Sequence, residues 1–181
     1  DLVARVAAVR EAVGWDVDIG IEIHRNMVPG EAIVLAAEIE RFRPLFFEDP
    51  IPPDSVLSFG EVAEKVRIPL AAGERNLNIW EFREYVEHAG VHHIRPDVGL
   101  AGGITHVKKI CALAEAHHVG VVPHNPLSPV STAACLQIAA CIPNFALQEY
   151  PTGEDEFPKI DMVDTPAEQD RKSTRLNSSH A

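Results

Sequence analysis

Six ionisable residues recur along the chain at nearly the same interval: Glu22, Glu48, Glu74, Asp97, His124 and Glu149, separated by 26, 26, 23, 27 and 25 positions. Each stands at the end of a short apolar run, or just beyond it. These runs cover residues 17–23, 45–48, 68–73, 91–95, 119–122 and 144–149, and Pro or Gly bounds many of them. Their length and composition predict buried strands. Helical patterns lie between them. Residues 2–13 form one. In 31–42 the side chains of Ile33, Leu35, Ala36, Ile39 and Phe42 fall broadly on one side. In 104–117, Ile104, Val107, Cys111 and Ala114 recur at helical spacing, with Lys108, Lys109 and Glu115 turned elsewhere.

Strand then helix, repeated, predicts an α/β fold with a parallel sheet. A residue at the same point of successive βα units lands on one face of the sheet, and in a closed barrel the carboxyl ends of the strands converge on one pocket. An open, doubly wound sheet usually carries a Gly-rich turn after its first strand, and neither GxGxxG nor GxxxxGK[ST] occurs here. A complete (β/α)8 barrel takes about 250 residues, whereas this chain has 181. The expectation is therefore a partial TIM-type barrel comprising the last six βα units, with two strands and whatever precedes them outside the sequence.

The chain carries 27 acidic and 16 basic residues, a net charge of -11. No Lys/Arg cluster interleaves with aromatics, which argues against nucleic acid or an anionic membrane as partner. No apolar run approaches the roughly 20 residues of a membrane span. Cys111, Cys135 and Cys141 form no CxxC pair and are odd in number. They suit a reducing, cytoplasmic setting as buried thiols rather than a disulfide framework or a zinc site. After Asp164-Thr165-Pro166 the periodicity ends. Residues 170–181 back-translate to codons resembling a sequencing-library adapter, so they are expected to be a foreign, disordered tail, leaving 1–169 as the folded domain. That tail holds Arg171, Lys172 and Arg175 against Asp170, so without it the chain is more acidic still.

Glu22, Glu48 and Glu74 end three consecutive strands and offer hard oxygen ligands suited to Mg2+ or Mn2+, where zinc would prefer His or Cys. In Phe47-Glu48-Asp49-Pro50 the register favours Glu48 as ligand and leaves Asp49 to the loop or to a supporting role. His24, two residues past Glu22, points to the same side on an extended strand. Asp97 follows Pro96, and His124 sits between Pro123 and Pro126. An Asp from one strand end and a His from the next can form a dyad in which the carboxylate fixes the imidazole tautomer and raises its basicity. His88, His92, His93, His106, His117 and His118 read as surface or packing residues.

The motifs Glu22-Ile23-His24-Arg25, Phe47-Glu48-Asp49-Pro50, Ala72-Gly73-Glu74-Arg75, the run from Arg95-Pro96-Asp97 to Gly102-Gly103-Ile104-Thr105, Val122-Pro123-His124-Asn125-Pro126-Leu127 and Leu147-Gln148-Glu149-Tyr150 appear in this order. The series resembles the enolase superfamily, its mandelate racemase subgroup, and within that the sugar-acid dehydratases of the galactonate dehydratase type. The resemblance covers about residues 1–165. It implies a truncated enolase-type barrel in which Glu22, Glu48 and Glu74 bind Mg2+. It also implies that Asp97 and His124 remove the proton alpha to a substrate carboxylate and that Glu149 hydrogen-bonds the developing enediolate. His24 would be the acid that helps the 3-hydroxyl leave. The implied reaction is dehydration of an aldonate to a 2-keto-3-deoxy acid. Alternatives are dehydration of mannonate or an aldarate, epimerisation or racemisation through the same enediolate, and an inactive truncated fragment. The full-length parent is expected to be a homo-oligomer.

One residue departs from the family pattern: Glu22 stands where relatives commonly have Asp. His24, where racemising and lactonising relatives often have Asn, favours dehydration. A small capping domain and the strand that carries a Lys in some relatives would precede Asp1.

Overall fold

The computed structural model of the chain describes residues 1–126, 128–151, 153–154, 156–165 and 167. The adapter-like segment 170–181 therefore lies outside the described residues.

Strands and helices alternate from the N-terminal helix to Ala139. The order is α1 (Leu2–Val13), β1 (Gly20–Glu22), α2 (Pro29–Ile39), β2 (Phe46–Glu48), α3 (Val56–Lys65), β3 (Leu70–Ala72), α4 (Ile79–His88), β4 (His93–Ile94), α5 (Ile104–Ala116), β5 (Gly120–Val121) and α6 (Pro129–Ala139). The sheet runs β1-β2-β3-β4-β5, every pair parallel. Consecutive units are neighbours, as in a barrel wall.

Helix starts follow local chemistry. Ser55, Asn78 and Ser128 cap α3, α4 and α6 by accepting backbone N–H bonds in the first turn, and Pro29 and Pro129 occupy first-turn positions where no donor is needed. Helix α2 buries Ala32, Leu35, Ala36 and Ile39, and α5 buries Val107, Ile110, Cys111 and Ala114, both at one-face spacing. Ile104, expected on the buried stripe, is instead exposed in the first turn of α5, and Ile110 takes its place in the core.

Strand alternation divides the side chains between two faces. Phe47, Leu70, Ala72, Ile94 and Val121 join the helix-facing core, with Phe59 and Phe82 from the helices. The opposite positions bear Gly20, Glu22, Phe46, Glu48, Ala71 and His93. There the rings of Phe46 and His93 pack 5.9 Å apart. A Cβ on Gly20 would meet the Phe46 ring, and one on Gly120 would meet His93, so small residues make room for large ones across this layer. Burial leaves the His93 imidazole less basic than usual.

The strands are shorter than the apolar runs, and the sixth is reduced to a single parallel bridge, Val121 to Phe145. Pro96 and Pro123 follow β4 and β5 and cannot donate to a ladder. The Asn144 carbonyl accepts the Val121 N–H at 2.8 Å, and its side chain donates to the carbonyls of Cys111 and Val119, at 3.1 and 2.9 Å. Cys111 and Cys135 are buried, which raises their thiols to about 12 and about 11, while Cys141 is exposed and all three are free. His92 and His106 accept backbone N–H bonds from Leu70 and Ile79, the packing role expected of them. Among the described residues no helix is long and apolar enough to cross a membrane.

Candidate functional site

Parallel pairing sets the first carboxylates side by side. Glu22 is the register partner of Glu48, and Glu48 of Ala71. After β3 the backbone turns at Gly73, φ 116, and delivers Glu74 to the same end of the sheet. Further along that end, Asp97 and His124 form a parallel bridge of their own. The repeat of strand-end residues thus becomes a cluster in space.

Asp97 is 1% exposed. Its Oδ1 accepts the N–H groups of Gly99 and Leu100 at 2.8 and 3.0 Å, which orients the carboxylate so that Oδ2 lies 3.0 Å from His124 Nδ1. An ionised carboxylate only accepts, so Nδ1 carries the shared proton and Nε2 is the nitrogen left to act. His124 Nε2 lies 3.4 Å from Glu74 Oε2.

Two arginines that the sequence reading assigned no role organise the remaining acids. Arg25 donates through Nη1 to Asp49 Oδ2 at 2.7 Å and to Glu74 Oε1. Arg95 donates through Nε to Glu48 Oε1 and through Nη2 to Glu149 Oε2 at 2.8 Å. Glu149 Oε2 also accepts the backbone N–H of Asn125 at 2.8 Å. Asn125 is fixed in turn by bonds from its Nδ2 to Thr132 Oγ1 and to the Glu149 carbonyl, and Thr132 donates to Glu154. Arg95 was legible as a charge ending an apolar run at the same strand parity as His93. Arg25 had no comparable signal.

His24 reaches Glu22, but by a different route from the one expected. Strand β1 ends at Glu22, and His24 and Arg25 both adopt left-handed backbone, φ 56 and 64. Positive φ is uncommon away from Gly and here folds the chain back over the strand end. His24 Nδ1 lies 2.8 Å from Glu22 Oε1, and Arg25 Nη2 donates to His24 Nε2 at 3.0 Å. Asp49, φ 40, is buried and serves as the partner of Arg25.

The cluster is rich in negative charge. Among the described residues, the guanidiniums of Arg25 and Arg95 are the fixed cations paired with Asp49, Glu74, Glu48 and Glu149, while Glu22 and Asp97 face His24 and His124. Glu48 is 3% exposed. Burial raises its carboxyl to about 7, Arg95 opposes the rise, and Asp49 and Glu22 add to it. Burial likewise raises Asp49 against the pull of Arg25. The excess of acids over guanidiniums suits a hard divalent cation, with the buried Glu48 and Asp49 each paired to an arginine and, of Glu22, His24 and Glu74, only Glu74 buried. Glu22, His24 and Glu74 each offer a ligand atom, and these three atoms lie within 4.8 Å of one another. Of the acids expected as ligands, Glu22 and Glu74 thus come together, with His24 beside them, while Glu48 is held by Arg95.

A family model described as enolase C-terminal domain-like matches residues 1–176. The chain belongs to the enolase C-terminal domain-like family. The D-galactonate dehydratase of Variovorax paradoxus (strain S110) is 42% identical to this enolase-type chain over 151 residues, 83% of the chain and 40% of that protein. The D-galactonate dehydratase of Ralstonia pickettii (strain 12J) is 40% identical over the same shares. A solved member of the enolase superfamily from Salmonella Typhimurium aligns with TM-score 0.84 at 39% identity, over 87% of this chain and 40% of that one. The chain spans about 40% of the length of the curated relatives it matches. In enolase C-terminal domain-like terms it is a fragment, a run of parallel βα units in sequence order.

Proposed function

We propose that the full-length protein carrying this chain dehydrates a sugar acid, galactonate or a related aldonate, to the 2-keto-3-deoxy acid. The observation that carries the reading is the Asp97–His124 pair, Nδ1 held at 3.0 Å and Nε2 opposite Glu74, in a chain about 40% identical to D-galactonate dehydratases.

Glu22 and Glu74, with His24 beside them, would hold Mg2+, and Glu48, the third acid expected there, would join them through the oxygen that Arg95 does not hold. When bound, the ion supplies positive charge to the substrate carboxylate and so favours loss of the weakly acidic alpha proton. His124 takes that proton on Nε2, and Asp97 holds the ring in the required tautomer and stabilises the imidazolium. Glu149 stabilises the charge that develops on the carboxylate by donating a hydrogen bond, which requires a proton on the donating oxygen because a bare carboxylate would repel that charge. With Oε2 occupied by Arg95 and Asn125, Oε1 is the oxygen it can offer. His24 protonates the departing 3-hydroxyl, which leaves as water. In the structure its Nε2 accepts from Arg25 and so carries no proton, so it must part from Arg25 and take up a proton from solvent before it can deliver one. The resulting enol tautomerises to the keto acid.

The test is a panel of aldonates and aldarates incubated with the full-length protein and Mg2+, with detection of 2-keto-3-deoxy acids. Product from one acid names the substrate. Exchange of the alpha proton into D2O without any keto acid moves the function to epimerisation or racemisation, and no exchange on any acid overturns the reading.

A further inference from the structure

Arg95 is 5% exposed and its guanidinium is shared between two acids from distant parts of the chain. Nε bonds Glu48 at the end of β2, and Nη2 bonds Glu149 beyond the Phe145 bridge, separations of 47 and 54 residues. A buried guanidinium is tolerated only when its donors are met, and a planar fork can meet two acceptors in fixed directions where an ammonium cannot. Both donors that reach Glu149, Arg95 Nη2 and the Asn125 N–H, converge on the same oxygen, Oε2. That choice fixes the carboxyl plane and leaves Oε1 for another partner.

We infer that Arg95 is a positioning residue: it selects the Glu149 oxygen presented to the substrate and locks Glu149 to the same frame as Glu48. The inference rests on the dehydratase reading, in which Glu149 donates a hydrogen bond from a proton on Oε1 to the developing charge. Arg95 also lies two residues before Asp97, across Pro96, so the same backbone sets the brace and the dyad.

The experiment uses the full-length protein with Arg95→Lys, which keeps a cation beside Glu48 but loses the fork, and with Arg95→Gln as a second variant. Each is combined with Glu149→Gln in a double-mutant cycle. Turnover, KM and Mn2+ binding by electron paramagnetic resonance are measured. Loss of a group that orients a functional side chain typically costs about 10- to 100-fold in activity. Arg95→Lys is therefore expected to lower kcat by about that factor, with KM and Mn2+ affinity changed by less than about threefold. In the Glu149→Gln background the same change is expected to cost under about twofold, because its target is already gone. Full additivity of the two losses overturns the inference. So does a loss confined to Mn2+ affinity and restored at saturating metal, since Arg95 would then act through Glu48 alone. If Glu149→Gln itself keeps wild-type turnover while His124→Asn is inactive, the role of Glu149 falls and the inference with it. If both keep it, the dehydratase site is wrong.

Discussion

His124 faces two carboxylates from opposite edges of its ring, Asp97 at 3.0 Å from Nδ1 and Glu74 at 3.4 Å from Nε2. Asp97 is anchored by two backbone amides and has no freedom to follow the ring, so the imidazole is oriented from the Nδ1 side. The working nitrogen is thereby aimed at the carboxylate cluster. In the full-length protein His124→Asn should lower alpha-proton exchange and turnover together, by about 10²- to 10⁴-fold. Exchange followed by proton NMR in D2O checks this, and wild-type exchange in the variant would remove His124 from the base role.

The acid excess around Glu22, Glu48 and Glu74 predicts metal-dependent stability. Binding to the folded state at 100 times the dissociation constant adds about 2.7 kcal/mol. Mg2+ is expected to raise the melting temperature of the full-length protein, and Glu74→Gln to abolish most of that rise. Thermal melts with Mg2+ and with EDTA decide it. An undiminished shift in the variant would exclude Glu74 as a ligand.

Glu48 sets a pH dependence whose sign follows from its burial. Its carboxyl is raised from an ordinary 4.5 to about 7, so the folded state binds this proton more tightly than the unfolded state does. In metal-free protein its contribution is fully present below about pH 4.5 and is lost as pH rises through about 7. Urea unfolding of the full-length protein in EDTA should lose stability over that window, and Glu48→Gln should flatten this part of the slope. A cation at the site favours the ionised form, so saturating Mg2+ should flatten it too. An unchanged slope in Glu48→Gln would assign it to other groups.

Gly73 connects the β3 edge of the site to the core beneath it. Its φ of 116 is disfavoured for L side chains, and an added Cβ would lie 2.7 Å from the Phe82 ring. Gly73→Ala should destabilise the full-length protein by about 1–3 kcal/mol through strain and overpacking. Because Glu74 is the next residue, Mn2+ affinity should fall as well. Urea midpoints and Mn2+ titration check the two effects, and a neutral midpoint would mean that the turn relaxes.

The spacing of Glu22, Glu48, Glu74, Asp97, His124 and Glu149 was enough to read the parallel α/β arrangement, because a βα repeat is a local property: strand length, helix length and turn composition all lie within one unit of the chain. The Asp97–His124 pairing followed from adjacent units. Tertiary structure alone decided how charges from distant units share partners. Arg25 reaches Glu74 across 49 residues and Arg95 reaches Glu149 across 54, and such meetings depend on strand register and on which face each side chain takes. It also decided that His24 meets Glu22 through a left-handed turn rather than along an extended strand, and that the segment 144–149 contributes one bridge instead of a strand. Apolar periodicity reports which way a residue faces, whereas a guanidinium several bonds long, seeking acids in a buried and crowded cluster, answers to the whole arrangement around it.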